Sequence, residues 1–216
     1  MTAATPPTRT AAPVRRRTQA ERRAATRDAL QDAALACLLD EGYSGLTTRR
    51  VAERAGVSQG TQRFYFPSRA EFVAAAIERL ADELAAQVRD RTPPPALGNR
   101  RRIEAALDRL WEISNGPLFQ AMMELCGTAR TDPEVRESLR VANRTVTGII
   151  ARTAGELFPE LIEDPDFRAF LEIALATMRG LAMFAPLQLP NADRHWHAVR
   201  AQLLGLYDQL AETGNY

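Results

Sequence analysis

The chain has 216 residues, 45% apolar and 25% charged, with a net charge of +1. That is the balance of an ordinary globular protein, with room for one large domain or two small ones and a core that needs neither disulfides nor metals. Two cysteines, Cys37 and Cys126, stand apart with no CxxC spacing, which argues against a disulfide scaffold and a structural zinc site and fits a reducing cytosol. No apolar run approaches the roughly 18 to 20 residues that span a bilayer. The first residues carry Pro, Thr and Arg where a signal peptide carries its apolar stretch. A cytoplasmic protein with no membrane partner is expected.

The net charge conceals a segregation of sign. Up to Ala70 there are 12 arginines against 6 acids; from Glu71 onward there are 16 arginines against 21 acids, and lysine is absent. A basic first third and an acidic remainder suggest two tasks, with the first third meeting an anion.

In chain order, residues 1–20 are rich in Thr, Ala, Pro and Arg without apolar periodicity and read as a flexible basic arm. From Arg22, the residues Leu30, Ala33, Ala34, Cys37 and Leu38 recur at helical spacing, and Gly42 supplies a stop. Thr47 or Thr48 caps a short helix carrying Val51, Ala52 and Ala55, which Gly56 ends; Ser58 caps another short helix through about Phe64. Ser68 and Glu71 have capping-box spacing and open a long helix with the stripe Phe72, Val73, Ala76, Ile77, Leu80, Leu84 and Val88. Pro93-Pro94-Pro95 is a stiff boundary. Beyond it, helices are expected over 100–114, 117–129, from Asp132-Pro133 to Leu157, from Asp164-Pro165 to Phe184, and over 192–210. No alternating strand and no internal repeat is found, so the chain reads as all-α.

Two short helices joined at Gly56-Val57 and packed on a longer preceding helix make a helix-turn-helix, whose first short helix braces the second for entry into the DNA major groove. The stretch Leu46-Thr-Thr-Arg-Arg-Val-Ala-Glu-Arg-Ala-Gly-Val-Ser-Gln-Gly-Thr61, followed by Phe64-Tyr-Phe-Pro-Ser-Arg69, closely resembles the DNA-binding domain of the TetR family of transcriptional regulators. The resemblance covers residues 24–84, with the helix-turn-helix at about 47–66. It implies an N-terminal three-helix DNA-binding domain joined by a long helix to a C-terminal helical effector-binding and dimerisation domain, here residues 99–216. A homodimeric repressor of double-stranded operator DNA, released by a small-molecule effector, is the implied function. A helix-turn-helix protein controlled by a protein partner or constitutive, and a transcriptional activator, stay open as alternatives.

The resemblance places Thr47 and Thr48 against a phosphate and Arg49 within reach of a base edge, where a guanidinium suits guanine. Ser58, Gln59, Gly60 and Thr61 form the leading end of the recognition helix, with Gln59 as the base reader. Arg63, Tyr65 and Arg69 are expected on phosphates. Phe66 reads as core, and Tyr65 is balanced between core and phosphate. The sequence departs from the family's common pattern at Gln62 and Arg63, where an apolar residue and a tyrosine are usual. Arg15, Arg16 and Arg17 of the arm, with Arg22 and Arg23 after them, are placed to lie along phosphates or in a minor groove.

No catalytic constellation is found: GxSxG, P-loop, HExxH and GxGxxG are all missing. His195 and His197 project in different directions on one helix, and the acids Glu160, Glu163, Asp164 and Asp166 lack calcium-loop spacing. Neither a metal, nor another cofactor, nor enzymatic activity is expected. Trp111, Phe119, Met122, Met123 and Met178 can line an effector cavity, with Glu124, Asn143, Thr147 and Arg179 as polar contacts. The last two long helices are apolar on more than one face, so a symmetric four-helix interface through Leu181, Trp196, Leu203 and Leu206 is expected.

Overall fold

The computed structural model describes residues 18–90, 98–184, 187 and 192–213. The arm up to residue 17, with Arg15, Arg16 and Arg17, and the three prolines at 93–95 lie outside the described residues. Among the described residues there are nine helices and no strand: α1 (Gln19–Gly45), α2 (Thr48–Arg54), α3 (Gln59–Tyr65), α4 (Arg69–Asp90), α5 (Asn99–Ser114), α6 (Pro117–Thr128), α7 (Pro133–Leu157), α8 (Pro165–Ala182) and α9 (Ala192–Thr213).

The boundaries follow from local chemistry. Helix α1 starts three residues earlier than its apolar stripe suggests, because Thr18 and Glu21 close a capping box: Glu21 N donates to Thr18 Oγ1 at 3.2 Å and Thr18 N to Glu21 Oε2 at 2.7 Å. Arg22 and Arg23 therefore sit on the first turn and a half of α1. Gly42 breaks α1 with φ 69° and ψ −172°, a backbone conformation that only glycine adopts without strain. Gly56, at φ 66°, ends α2 in the same left-handed half of the map. Thr47, Ser58, Asp132 and Asp164 all cap with their side chains, and α6, α7 and α8 each carry proline in their first turn.

Two apolar cores result. The first joins α1, α2 and α4 through Leu30, Leu38, Leu46, Val51, Phe66, Phe72 and Leu80, and it runs on without a break into α6 and α7 through Met122, Leu125, Val135 and Leu139. Helix α4 packs more extensively on α7 than on any other element, so the helices that carry the helix-turn-helix rest directly on the C-terminal half. The second core unites α5, α8 and α9 with the α7–α8 turn through Ile103, Phe158, Phe167, Phe170, Met178, Leu203 and Tyr207. No helix among the described residues is long and apolar enough to cross a membrane.

Candidate nucleic-acid interface and effector cavity

The reading head is built by caps and a tight turn. Thr47 Oγ1 accepts Arg50 N at 3.4 Å, and Ser58 Oγ accepts Thr61 N at 3.0 Å and lies 2.9 Å from Thr61 Oγ1. Thr48, Arg49, Gln59, Gly60 and Arg63 are all exposed beside them, which leaves one open face of hydroxyls, an amide and guanidinium groups. Gln62 turns the other way. It is buried and its Nε2 donates to the Phe66 carbonyl at 3.4 Å, so an amide occupies the position where an apolar side chain is usual. Phe66 is core and Tyr65 is half-buried against the first core. Phe64 is 69% exposed on the recognition helix with its ring edge-on to Tyr65. The sequence gives no reason to single it out, since it opens the aromatic run Phe64-Tyr65-Phe66, of which Phe66 is core and Tyr65 half-buried.

The arginines of α2 are matched by carboxylates. Arg49 Nε donates to Glu53 Oε1 at 2.9 Å, while Arg50 pairs with Glu41 and Arg54 with Asp40. These pairs are largely exposed and so hold their partners weakly against a competing phosphate. Arg63 makes no ion pair among the described residues.

Arg69, expected on a phosphate, is exposed at the start of α4 and also touches Tyr43. Its Nη1 donates to Tyr43 Oη at 2.9 Å and its guanidinium lies 4.7 Å from the Tyr43 ring centroid. Tyr43 Oη in turn donates to Asp132 Oδ2 at 3.0 Å, and Tyr43 N donates to Glu124 Oε1 at 2.8 Å. Tyr43, just after the Gly42 break, is thus held by α4, α6 and the N-cap of α7. Burial pushes the Tyr43 phenol up from its ordinary pKa. The Val135 N–H above all, with Tyr43 Oη, Glu134 N and the Arg69 charge, holds the Asp132 carboxyl below the usual carboxylate range. Glu124, expected on a ligand, instead receives the end of α1.

A partly open cavity of about 50 Å³ lies between α4 and the C-terminal helices α5, α6, α7 and α8. Phe119, Met122, Asn143 and Arg179 line it, together with Leu84 and Val88 of α4. Trp111, Met123, Thr147 and Met178 do not. Trp111 stacks on Trp196 at 4.8 Å, Met178 is buried in the second core, and Met123 faces a groove between α1 and α6. Thr147 returns its hydroxyl to the Asn143 carbonyl at 2.7 Å.

Two of the residues expected at a subunit interface are inside their own subunit. Trp196 and Leu203 are buried in the second core, and Trp196 Nε1 donates to Asp108 Oδ1 at 3.1 Å. The apolar face that α9 turns to α5 is its own core face, which periodicity cannot tell from a partner's. Leu181 and Leu206 are partly buried against that same core. On α8, Ala169, Ile173, Ala176 and Gly180 are exposed beside the charged Arg168 and Glu172, and on α9 Ala198 and Ala201 are exposed.

A capped, glycine-jointed pair of short helices with a polar and basic outer face, braced on two longer helices, defines a helix-turn-helix DNA-binding protein. Residues 30–76 match the family described as bacterial regulatory proteins, tetR family. The HTH-type transcriptional regulator CymR of Pseudomonas putida is 31% identical over 170 residues, which cover 78% of this chain and 83% of that protein. Among solved structures, a transcriptional regulator from Rhodococcus sp. Rha1 superposes with a TM-score of 0.63 at 24% identity, covering 85% of this chain and 96% of that one. The multidrug binding protein EbrR complexed with ethidium superposes with a TM-score of 0.59 at 23% identity, covering 82% and 97%. The chain belongs to the tetR family of bacterial regulatory proteins and is a transcriptional regulator with a DNA-binding helix-turn-helix.

Proposed function

We propose that this regulator is a cytoplasmic homodimeric repressor that binds operator DNA through α2 and α3 of both subunits and is released by a small, largely apolar effector. The observation that carries the reading is the wall shared by the cavity and α4: Leu84 and Val88 line the cavity, and the same helix begins at Arg69, directly after the recognition helix. At about 50 Å³ the cavity exceeds the space one water needs, yet falls short of the ~150 Å³ that accommodates benzene. A ring-sized effector enters only by moving the walls apart, and α4 is one of them. Movement of α4 carries α3 with it and changes the distance between the two reading heads. The effector must favour the expanded state, since equal affinity for both would shift nothing. EbrR, a protein of the same fold, is described in complex with ethidium and with proflavin, a precedent for aromatic ligands in this architecture.

On DNA, Thr47, Thr48, Ser58, Thr61, Arg63 and Tyr65 take phosphates. Gln59 and Arg49 read bases, Arg49 exchanging Glu53 for a guanine edge, and Gly60 permits close approach of the backbone. Arg69, exposed and with only its Nη1 bonded to Tyr43, has further N–H groups to offer a phosphate. Arg15, Arg16 and Arg17 add sequence-independent attraction. The subunits meet through the outward faces of α8 and α9, where Ala169, Ala176, Gly180 and Ala198 allow close approach around Ile173. The test is a fluorescence-anisotropy titration of operator-bound protein with lipophilic compounds. Compounds that bind are expected to release DNA, and Leu175→Phe, which fills the cavity, should abolish the release. A compound that binds the cavity and leaves DNA affinity unchanged contradicts the reading.

A further inference from the structure

Phe64 is an apolar side chain on the open face of α3. Of the large apolar side chains among the described residues it is the most exposed, at 69%. Gln59, Gly60 and Arg63 are exposed with it, while Gln62 is buried and Thr61 and Tyr65 are half-buried. At 3.6 residues per turn, positions 59, 60, 63 and 64 fall on one side of the helix and 61, 62 and 65 on the other, so the four exposed residues form one surface. The other exposed large apolar residues, Val141, Ile173, Met183, Phe184 and Leu187, belong to the C-terminal half.

The surroundings of the ring hold it on that surface. Phe66 fills the core at this end of α3 and Tyr65 packs against it, which leaves Phe64 the outer side. Its ring stands edge-on to Tyr65, with centroids 5.2 Å apart and an interplanar angle of 88°, a preferred aromatic arrangement. On a helix a long side chain leans over the preceding turn. Four residues before Phe64 stands Gly60, where an added Cβ would meet only Ser58 Oγ, at 3.7 Å. No side chain at position 60 covers the ring.

A phenyl ring offers no hydrogen bond to a phosphate or a base edge, but it can cover a methyl group. In the major groove thymine is the base that carries one, at C5, and apolar contact with it is a means of direct readout. Cytosine and adenine present amino donors there instead, and a donor covered by an apolar ring is left unsatisfied, which is unfavourable. A single ring flanked by an amide, a glycine and a guanidinium is too small an apolar surface for a stable protein–protein contact.

We propose that Phe64 is a specificity-determining residue of α3 whose ring packs on the C5 methyl of a thymine in each operator half-site. This rests on the placement of α3 in the major groove and adds to it a base that is read by apolar contact. Gln59 and Arg49 then supply the hydrogen bonds to bases and Phe64 the methyl contact, while Gly60 lets the ring and the backbone approach the same base edge.

The probe is the duplex that the full-length wild-type protein enriches from a random pool, with each thymine replaced in turn by 2′-deoxyuridine, which lacks only the methyl. Binding is read by fluorescence anisotropy for wild type, Phe64→Ala and Phe64→Leu. The comparison is a ratio between two duplexes for one protein, so a change in that protein's stability cancels. At one thymine of each half-site, loss of the methyl should weaken wild-type binding about four-fold, the effect of one buried methyl. Phe64→Ala should bind the thymine and deoxyuridine duplexes alike at that position, and Phe64→Leu should keep part of the discrimination. If no thymine methyl matters to the wild type, or if Phe64→Ala keeps the full discrimination, the thymine reading falls while α3 stays in the groove. If the pool yields no preferred sequence, the placement of α3 falls and the thymine reading with it.

Discussion

The hydroxyl of Tyr43 donates to the carboxylate of Asp132 at 3.0 Å, joining the end of α1 to the first turn of α7 across 89 residues of chain. With Arg69 stacked on the same ring and Glu124 on the Tyr43 backbone, this polar contact lies where the helix-turn-helix meets the C-terminal half. Both groups that hold the phenol are also parts of helix starts: Asp132 caps α7, and Arg69 opens α4. A change in the spacing of α4 and α7 has to stretch or break this contact, which makes Tyr43 a reporter of the coupling between the two halves.

Tyr43→Phe keeps the ring under Arg69 and removes the hydroxyl that bridges Arg69 and Asp132. The loss should be about 1 to 2 kcal/mol in urea unfolding, with the fold retained by circular dichroism. Arg69 has further N–H groups for a phosphate whether or not the phenol is present, so operator affinity should hold while stability falls. A variant that loses stability and operator affinity in proportion contradicts that division of the Arg69 guanidinium.

Asp132 gives the acid dependence a sign. Its carboxyl titrates below the usual carboxylate range in the folded chain, so the stability it contributes is fully present above the ordinary value of about 3.9 and is lost as pH falls through the lowered folded value. Asp132→Asn keeps a good N-cap and an acceptor for Tyr43 but cannot titrate. The stability gap between wild type and Asp132→Asn should narrow as pH drops below about 4. A gap that stays constant from neutral pH into that range contradicts the linkage.

Gly42 and Gly56 make a matched pair. Both have positive φ, but a Cβ on Gly42 would stand 2.7 Å from Glu124 Oε1, whereas one on Gly56 meets nothing. Gly56→Ala should cost about 1 to 2 kcal/mol, the left-handed penalty alone. Gly42→Ala should cost more, since its ψ lies in the region closed to other residues and the Glu124 contact with Tyr43 must give way. Equal losses in parallel denaturant curves contradict the geometry at Gly42.

For assembly, Ile173→Arg and Leu203→Arg should part company. Ile173 is 49% exposed on the outward face of α8, and Leu203 is 5% exposed within its own subunit's core. Ile173→Arg is expected to yield a folded monomer by sedimentation with much weaker operator binding. Leu203→Arg is expected to lower the melting temperature sharply by burying an unpaired charge. A folded monomer from Leu203→Arg, or an unaffected dimer from Ile173→Arg, overturns the assignment of faces.

These outcomes also mark how far the sequence reaches. Signals confined to a few neighbouring residues are legible: Ser58 before α3, Ser68 with Glu71 before α4, Asp132-Pro133 and Asp164-Pro165 before α7 and α8, and glycine at 42 and 56. The Thr18–Glu21 capping box is as local but sits inside a stretch whose composition reads as a basic arm. What a side chain meets across the fold is not local. Tyr43 and Asp132 carry no mutual signature, Arg69 is a surface arginine until Tyr43 is seen beneath it, and periodicity identifies an apolar face on α9 without saying whether α5 or a partner covers it. Of the expected ligand set, Phe119, Met122, Asn143 and Arg179 share the cavity, because α6, α7 and α8 converge there. Trp111 and Met178 match the set equally in chemistry and lie in the second core.

The most direct test of the account is selection of the DNA sequences that the full-length protein retains from a random duplex pool, carried out in parallel with Gln59→Ala. The account predicts enrichment of an inverted repeat whose half-sites lie about one helical turn or a multiple apart, with the preference at one position of each half-site relaxed in the variant. Recovery of single, unrepeated sites, or of sequences no different from the starting pool, would contradict it.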